Sequence, residues 1–242
     1  MIYLGQLKRL INNCLSLIRW AIERYQFLSK NSRAVVAVSG GVDSLLLLFL
    51  LNEYNRRFNQ KWEIYPCHIN PGFPNWNAEI IQNYAQKMGL SCKVIDTDIS
   101  KRVKDSPKRC FLCARERRKK LLEYADSLNI FQIALAHHLE DAAETLIMNI
   151  LYNGEISTIL PKQPVIAGRF FFIRPIYYVA KKKIIELARL LNLPENMNIC
   201  PYYSFSKREK IRRFIQEIEK EYPDIYQTIF SGIFNIRREY LP

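Results

Sequence analysis

Cys110 and Cys113 stand three positions apart, and a third cysteine, Cys200, lies in the loop at 198–203 with proline and tyrosines around it. Two thiols at that spacing can grip one metal, and a following helix N-terminus favours their thiolates. Structural zinc prefers a closed set of four ligands, and iron–sulfur clusters are usually held by four thiolates, so a cluster on three would leave one iron open to an outside ligand. The pattern alone leaves three readings standing: an iron–sulfur cluster, zinc completed by a histidine, or burial without metal. A redox pair is disfavoured, because no thioredoxin-like context surrounds the cysteines. The string SGGVDS at 39–44 forms a second constellation. Its glycines let the backbone approach a ligand closely, and the unpaired amides of the helix that follows make an anion site. No Gly-Lys-Ser/Thr follows at the required spacing, so it is not a Walker loop. The third is AHHLEDAAET at 136–145. Two histidines beside carboxylates can handle protons or bind magnesium, although Asp141 and Glu144 would also stabilise a helix start by charge–dipole interaction alone. Adjacent residues cannot share a face, so at most one of the two histidines is expected to face the site.

These residues need a scaffold that brings them together. Strand-like runs occupy 34–38, 63–69, 92–96, 130–136 and 170–173, and helix-like runs 44–54, 76–88, 115–128, 141–152 and 181–191. This alternation predicts a doubly wound α/β fold, a parallel sheet with helices on both faces. Ligands of such sheets sit beyond the carboxyl ends of the strands, where the 39–44 turn, the 136–141 turn and the PGFP loop at 71–74 all fall. The PGFP loop on its own reads only as a turn. Ahead of the sheet, Leu4, Leu7, Ile11, Cys14, Ile18, Ala21 and Tyr25 form a heptad stripe on one helix. That stripe suits packing on the main domain, with a homodimer interface as the alternative use. Two further helices are expected at 207–221 and 224–240. The domain reading is an N-terminal helix at 1–30, one nucleotide-binding domain at 31–200 and a helical extension at 201–242.

The 242 residues, 49% of them hydrophobic, suffice for one sizeable core. The longest apolar run, 45–51, is too short to span a bilayer, and the N-terminal apolar residues are interleaved with polar ones unlike a signal peptide. A cytoplasmic location is expected, where the six cysteines read as metal-binding, catalytic or buried rather than as disulfides. Cys14, Cys67 and Cys92 lie in apolar runs and are expected to be buried. The net charge of +13 is bunched at 115–120, 181–183, 207–213 and 237–238, a footprint that suits a polyanion such as nucleic acid.

Taken in order, SGGVDS, PGFP, CFLC, AHHLEDAAET, the 173–176 segment IRPI and Cys200 resemble the tRNA-thiolating members of the PP-loop, or N-type, ATP pyrophosphatases. The tRNA-cytidine 2-sulfurtransferases are the nearest match. The resemblance covers about residues 33–241 and implies an adenine-nucleotide-binding α/β fold. It implies that Ser39, Gly40, Gly41, Asp43 and Ser44 hold the pyrophosphate of ATP. It makes Asp141 the catalytic acidic residue, with His137 and Asp141 also contacting the nucleotide and Asp43 and Asp141 as magnesium partners. Cys110, Cys113 and Cys200 become the ligands of an iron–sulfur cluster, expected as 4Fe–4S, that acts as a sulfur carrier. The implied partner is tRNA, held by the basic runs at 115–120 and 207–213, with Phe73, Tyr202 or Tyr203 stacking on an unstacked base. The sulfur donor, sulfide or a persulfide carrier, is not readable from the sequence.

The chain departs from those relatives in three places. Val42 stands where they usually carry Lys, Ala136 where they carry Gly, and Tyr203 where they often carry a further Cys. Cys200-Pro-Tyr is closer to the uridine and thymidine 2-thiolases, but the terminal CxxC pairs of those enzymes are missing. A lysidine-synthetase-like adenylating enzyme without sulfur chemistry is the other catalytic alternative, against which the cysteine trio argues. A non-catalytic RNA-binding protein on a degenerate nucleotide fold, stapled by zinc, is the third reading.

Overall fold

A computed structural model describes residues 2–74, 76–194, 200–202 and 206–240, the side chains of residues 2 and 3 excepted. The strands are β1 (Arg33–Ala37), β2 (Glu63–Asn70), β3 (Lys93–Asp96), β4 (Gln132–Ala134), β5 (Lys162–Val165) and β6 (Phe170–Ile173), in the order β3-β2-β1-β4-β6-β5. All pairings are parallel except β5–β6. The helices are α1 (Ile2–Tyr25), α2 (Val42–Arg57), α3 (Glu79–Gln86), α4 (Ile99–Val103), α5 (Arg109–Ser127), α6 (Leu139–Asn153), α7 (Lys181–Leu190), α8 (Lys207–Glu219) and α9 (Ile225–Gly232). The doubly wound fold expected from the alternation is thus the one observed.

Side-chain alternation along the strands divides the core. Ala34, Val36 and Val38 join one apolar layer with α1, α2 and α7, while Val35 joins the opposite layer with α4 and α5. Helix α2 is apolar nearly all round because it lies between sheet and other helices. Leu45, Leu46, Leu47, Leu48, Leu50 and Leu51 are all buried, each worth roughly 1.5–3 kcal/mol. The heptad stripe of α1 packs on this layer: Ile11, Cys14, Ile18 and Ala21 lie in it, and α1 contacts α2 and α7. A third cluster joins the face of α6 to α8 and α9 through Leu139, Ala143, Ile211, Ile215 and Phe230.

Several elements differ from the sequence expectation. Strand β5 reads as polar and contains Pro164, which an edge strand tolerates because the missing N–H faces away from the ladder. Helix α3 starts at Glu79 rather than 76, since the Asn77 side chain accepts from the Glu79 amide at 2.8 Å and sets the first turn there. Helix α5 begins at Arg109, six residues earlier than expected, and the stretch before it contains the short α4. The last long helix stops at Gly232, a residue that weakens a helix, and a short 3₁₀ turn at Arg238–Tyr240 follows.

Candidate active site

The chain runs outward from β1 to β2 and β3, then returns to lay β4 on the other side of β1. The crevice of this sheet therefore lies between the carboxyl ends of β1 and β4, where ligands of doubly wound folds bind. The 39–44 turn lines one side and the 135–141 turn the other.

On the β1 side, Val38 still bonds to β2, its amide donating to Cys67 O at 2.9 Å, and the chain then breaks away. Gly40 has φ 92°, a conformation only glycine adopts cheaply, and Gly41 caps α2 without help from a side chain. The Gly40 amide donates to Ser44 Oγ at 3.2 Å, the Gly41 amide to Ser39 Oγ at 3.4 Å, and the two hydroxyls lie 3.2 Å apart. Amides and hydroxyls thus form a small ring of mutually satisfied donors that an anion can open at modest cost. Asp43, in the first turn of α2, is paired with Lys181 at the start of α7.

On the β4 side, the Asp141 carboxylate reaches back to cap its own helix, with Oδ2 accepting from the His138 amide at 3.0 Å. Its Oδ1 accepts from Arg208 of α8 at 3.1 Å, and Arg208 also donates to Thr145 Oγ1 at 3.1 Å. His138 Nε2 lies 3.4 Å from Asp141 and 3.9 Å from Asp43, so both carboxylates converge on one imidazole. Burial alone would lower the His138 pKa, but the hydrogen bond to Glu140 at 2.9 Å and the charges of Asp141 and Asp43 outweigh it and raise it. Asp141 moves the other way. Burial opposes its ionisation, yet both histidines and Arg208 hold its carboxyl down to about 2.

His137 faces the opposite direction chemically. Burial lowers its pKa to about 3, so it is neutral, and its Nδ1 accepts from Arg174 Nε at 3.2 Å. Arg174 is itself buried, and desolvation lowers its pKa to about 10. Its other donors go to Leu160 O and Gln163 Oε1, both uncharged. Burying a guanidinium against neutral acceptors leaves positive potential at the crevice. Arg118 of α5 adds to it, for its charge acts on both Arg174 and Arg208.

Arg117, Arg118, Arg208 and Arg212 overturn part of the sequence reading of the basic runs. Arg115, Lys119 and the partly exposed Lys120 in the first run, and Lys207, Lys210 and Arg213 in the second, face outward and are open to a tRNA backbone. Arg208 and Arg212 turn inward because α8 packs on the acidic face of α6. Arg212 donates to both oxygens of the buried Glu144, at 2.8 and 3.2 Å. Burial outweighs this pairing and raises the Glu144 pKa. Arg212→Ala, which strands that carboxylate, is expected to cost about 3 kcal/mol in urea unfolding. An unchanged midpoint would contradict the pairing. Lys181 and Arg208 carry no local motif beyond the basic runs that contain them, whereas Arg174 lies in the IRPI segment that the resemblance already singled out.

The cysteines separate into two groups. Burial pushes the Cys14 and Cys92 thiols up to about 11 and that of Cys67 to about 12, as suits inert core residues. Cys110 is exposed, and Cys113 and Cys200 are half-buried. Because α5 starts at Arg109, Cys110 and Cys113 lie within it, on one helix face, rather than before it. The Cys200 thiol interacts electrostatically with both. Burial raises both α5 thiols in spite of the helix N-terminus, with Arg109 and Arg117 opposing it. Arg117 bonds to Cys113 and keeps a buried Nε that has no partner among the described residues. No cluster of three or more metal-ligating side chains is gathered among the described residues. Three soft thiols with no carboxylate or imidazole among them lack the fourth side-chain ligand that closes structural zinc, and thiols are the donor type that holds an iron–sulfur cluster.

Around these thiols the carboxyl-edge loops meet. Gly72 in the PGFP loop has φ 79°, and a Cβ there would lie 2.4 Å from Thr97 O. Phe73 packs edge-on against Tyr202 at 6.1 Å, and Arg109 lies over the Tyr202 ring at 4.7 Å. Tyr203, the other aromatic singled out in the sequence, lies outside the described residues. His68 beneath them is neutral and fully used: its Nδ1 bonds to Val38 O at 2.6 Å and its Nε2 accepts from Trp76 at 2.9 Å.

A nucleotide-type loop and an acidic turn across the switch point of such a sheet define an adenine-nucleotide-binding α/β protein of the PP-loop class. The chain belongs to the PP-loop domain family, whose sequence pattern matches residues 6–218. It is 30% identical over 227 residues to the tRNA-cytidine(32) 2-sulfurtransferase of Geobacter sulfurreducens, covering 91% of this chain and 88% of that one. It is 29% identical over 239 residues to the enzyme of the same name from Syntrophotalea carbinolica, covering 96% and 92%. Among solved structures, the U34-tRNA thiolase NcsA from Methanococcus maripaludis with its [4Fe-4S] cluster matches with a TM-score of 0.77 at 23% identity, over 94% of this chain and 78% of that one. At that identity the match speaks for the fold. The chain is an enzyme of the transferase kind, like its curated relatives. No helix among the described residues is long and apolar enough to cross a membrane.

Proposed function

We propose that the chain is an ATP-dependent tRNA 2-thiolase acting on a pyrimidine, cytidine in the anticodon loop. The observation that carries this is one edge of the sheet holding both an ATP-type crevice and a three-thiol site, linked by α5. Cys110 and Cys113 lie at the start of that helix, and Arg118 one turn further on acts on Arg208, the partner of Asp141. The curated relatives named above, matched along nearly their whole length, support the same reading.

The C2 oxygen of a pyrimidine is a poor leaving group. Attack of that oxygen on the α-phosphorus of ATP releases pyrophosphate and makes the oxygen part of an AMP ester. A sulfur nucleophile then replaces it at C2 and AMP departs. In the first half, Ser39, Gly40, Gly41 and Ser44 exchange their mutual hydrogen bonds for bonds to the leaving pyrophosphate, whose charge grows as the bond breaks. Asp43 and Asp141, which both approach His138 Nε2, at 3.9 and 3.4 Å, are the carboxylates that would hold magnesium with the phosphates, and bound magnesium would offset their charge. Arg174 holds the neutral His137 in place at the crevice, and the pair offers a nucleotide contact without adding a carboxylate. Cys110, Cys113 and Cys200 would hold an iron–sulfur cluster whose uncoordinated iron supplies a place to carry sulfur. Phe73 and Tyr202 present ring faces and edges beside the thiols for an unstacked base, and Arg115, Lys119, Lys207, Lys210 and Arg213 present outward charge to the tRNA backbone.

The test is incubation of anaerobically purified protein with tRNA, sulfide and α-labelled ATP, followed by nucleoside mass spectrometry. AMP, pyrophosphate and 2-thiocytidine are expected. ADP in place of AMP would refute the adenylation step, and 2-thiouridine or lysidine as the product would reassign the substrate or the nucleophile.

A further inference from the structure

The pyrophosphate leaving group needs positive charge, and the 39–44 loop supplies hydroxyls and amides but no cation. Position 42, between the glycines and Asp43, is the apolar Val42. It is half-buried against the layer shared by α2 and α7 and lines a surface groove with Ile185, Ala188 and Leu193. Because α7 packs against α2, its first residue reaches the loop. The Lys181 amide donates to Glu140 Oε1 at 2.8 Å, which anchors it to the β4 side of the crevice, and its ammonium pairs with Asp43 on the β1 side. Lys181 therefore bridges the two turns between which a nucleotide would lie. The pair is still 32% and 30% exposed, so it is open to exchange with an incoming ligand. A half-exposed ion pair contributes little to stability, so breaking it costs little.

We propose that Lys181 is the phosphate-binding cation of this loop, delivered from α7. Its ammonium leaves Asp43 for the β- and γ-phosphate oxygens when ATP enters, and Asp43 is freed at the same moment. This rests on the ATP reading above.

Calorimetric titration with α,β-methylene-ATP and with AMP tests it on the wild type, Lys181→Ala, Lys181→Arg and the double variant Val42→Lys/Lys181→Ala. Lys181→Ala is expected to weaken the triphosphate by about 10- to 100-fold while AMP changes by less than about threefold. Lys181→Arg should stay within about tenfold of wild type, and the double variant should recover most of the loss. Lys181 is on the surface of a helix start, and thermal unfolding will show whether the single variants fold as the wild type does. Unchanged or tighter triphosphate binding by a folded Lys181→Ala protein overturns the proposal, as does an equal loss for AMP. A wild type that binds no triphosphate overturns the ATP reading and the role of Lys181 with it.

Discussion

Cys200→Ala protein, purified without oxygen, is expected to lose the sulfur-to-iron charge-transfer absorption and the acid-labile sulfide of the wild type. Thiolation of tRNA should fall by at least about a thousandfold, because a carrier held by three ligands does not survive on two. Cys110→Ala and Cys113→Ala should behave alike, since all three thiols interact with one another. The adenylating half of the site is predicted to be spared. The ring of Ser39, Gly40, Gly41 and Ser44 and the Asp141–Arg208 pair make no bond to any of the three cysteines. Triphosphate binding should therefore stay within about twofold of wild type. Cys14→Ala is the matched control: its thiol is fully buried in the α1–α2 layer, so it should cost about 1–2 kcal/mol of stability and no iron. Full iron and sulfide in Cys200→Ala would remove the cysteine trio from the mechanism. Stoichiometric zinc in the wild type with no iron would replace the carrier by a staple.

The division between what could be read in the sequence and what could not follows the range of the interactions. Strand β1, helix α2 and the loop between them were legible because a buried parallel strand, a glycine turn and an apolar helix each write themselves in contiguous residues. The 136–145 turn was legible for the same reason, down to the Asp141 cap. Strand β5 was not, because an edge strand with Pro164 carries no apolar run. Nor were the roles of Arg208 and Arg212. In sequence they belong to a solvated basic run, and only the docking of α8 on α6 decides that these two, one helical turn apart, face Asp141 and Glu144. Lys181 is the sharper case. One lysine of three in a row reaches the nucleotide loop, and what selects it is the position of the α7 N-terminus beside that of α2, a long-range fact.

Asp141→Asn is expected to lower tRNA-dependent pyrophosphate release by at least about a thousandfold. The carboxylate sits where β4 hands over to α6, 91% buried, and is held on one oxygen by the His138 amide and on the other by Arg208. Asparagine keeps the shape and the cap but removes the charge. Arg208 then stands beside Arg118 without its direct ion-pair partner, with the Glu144 charge already shared with Arg212, and His138 loses one of the groups that favour its protonation. The stability loss should be about 1–3 kcal/mol, discounted because Arg208 is partly exposed. Arg208→Met in the same protein should return much of that stability by removing the stranded charge, yet return no pyrophosphate release. That split separates a carboxylate needed by the reaction from one needed only to hold α8. The pH dependence supplies a further check. Because the Asp141 pKa is depressed from 3.8 to about 2, its contribution to stability is complete above pH 4 and lost as pH falls towards 2, so this part of acid unfolding should be missing in Asp141→Asn. If Asp141→Asn retained a tenth or more of the wild-type rate, the acidic turn would be structural and the adenylation chemistry would have to be sought elsewhere along the β1–β4 crevice.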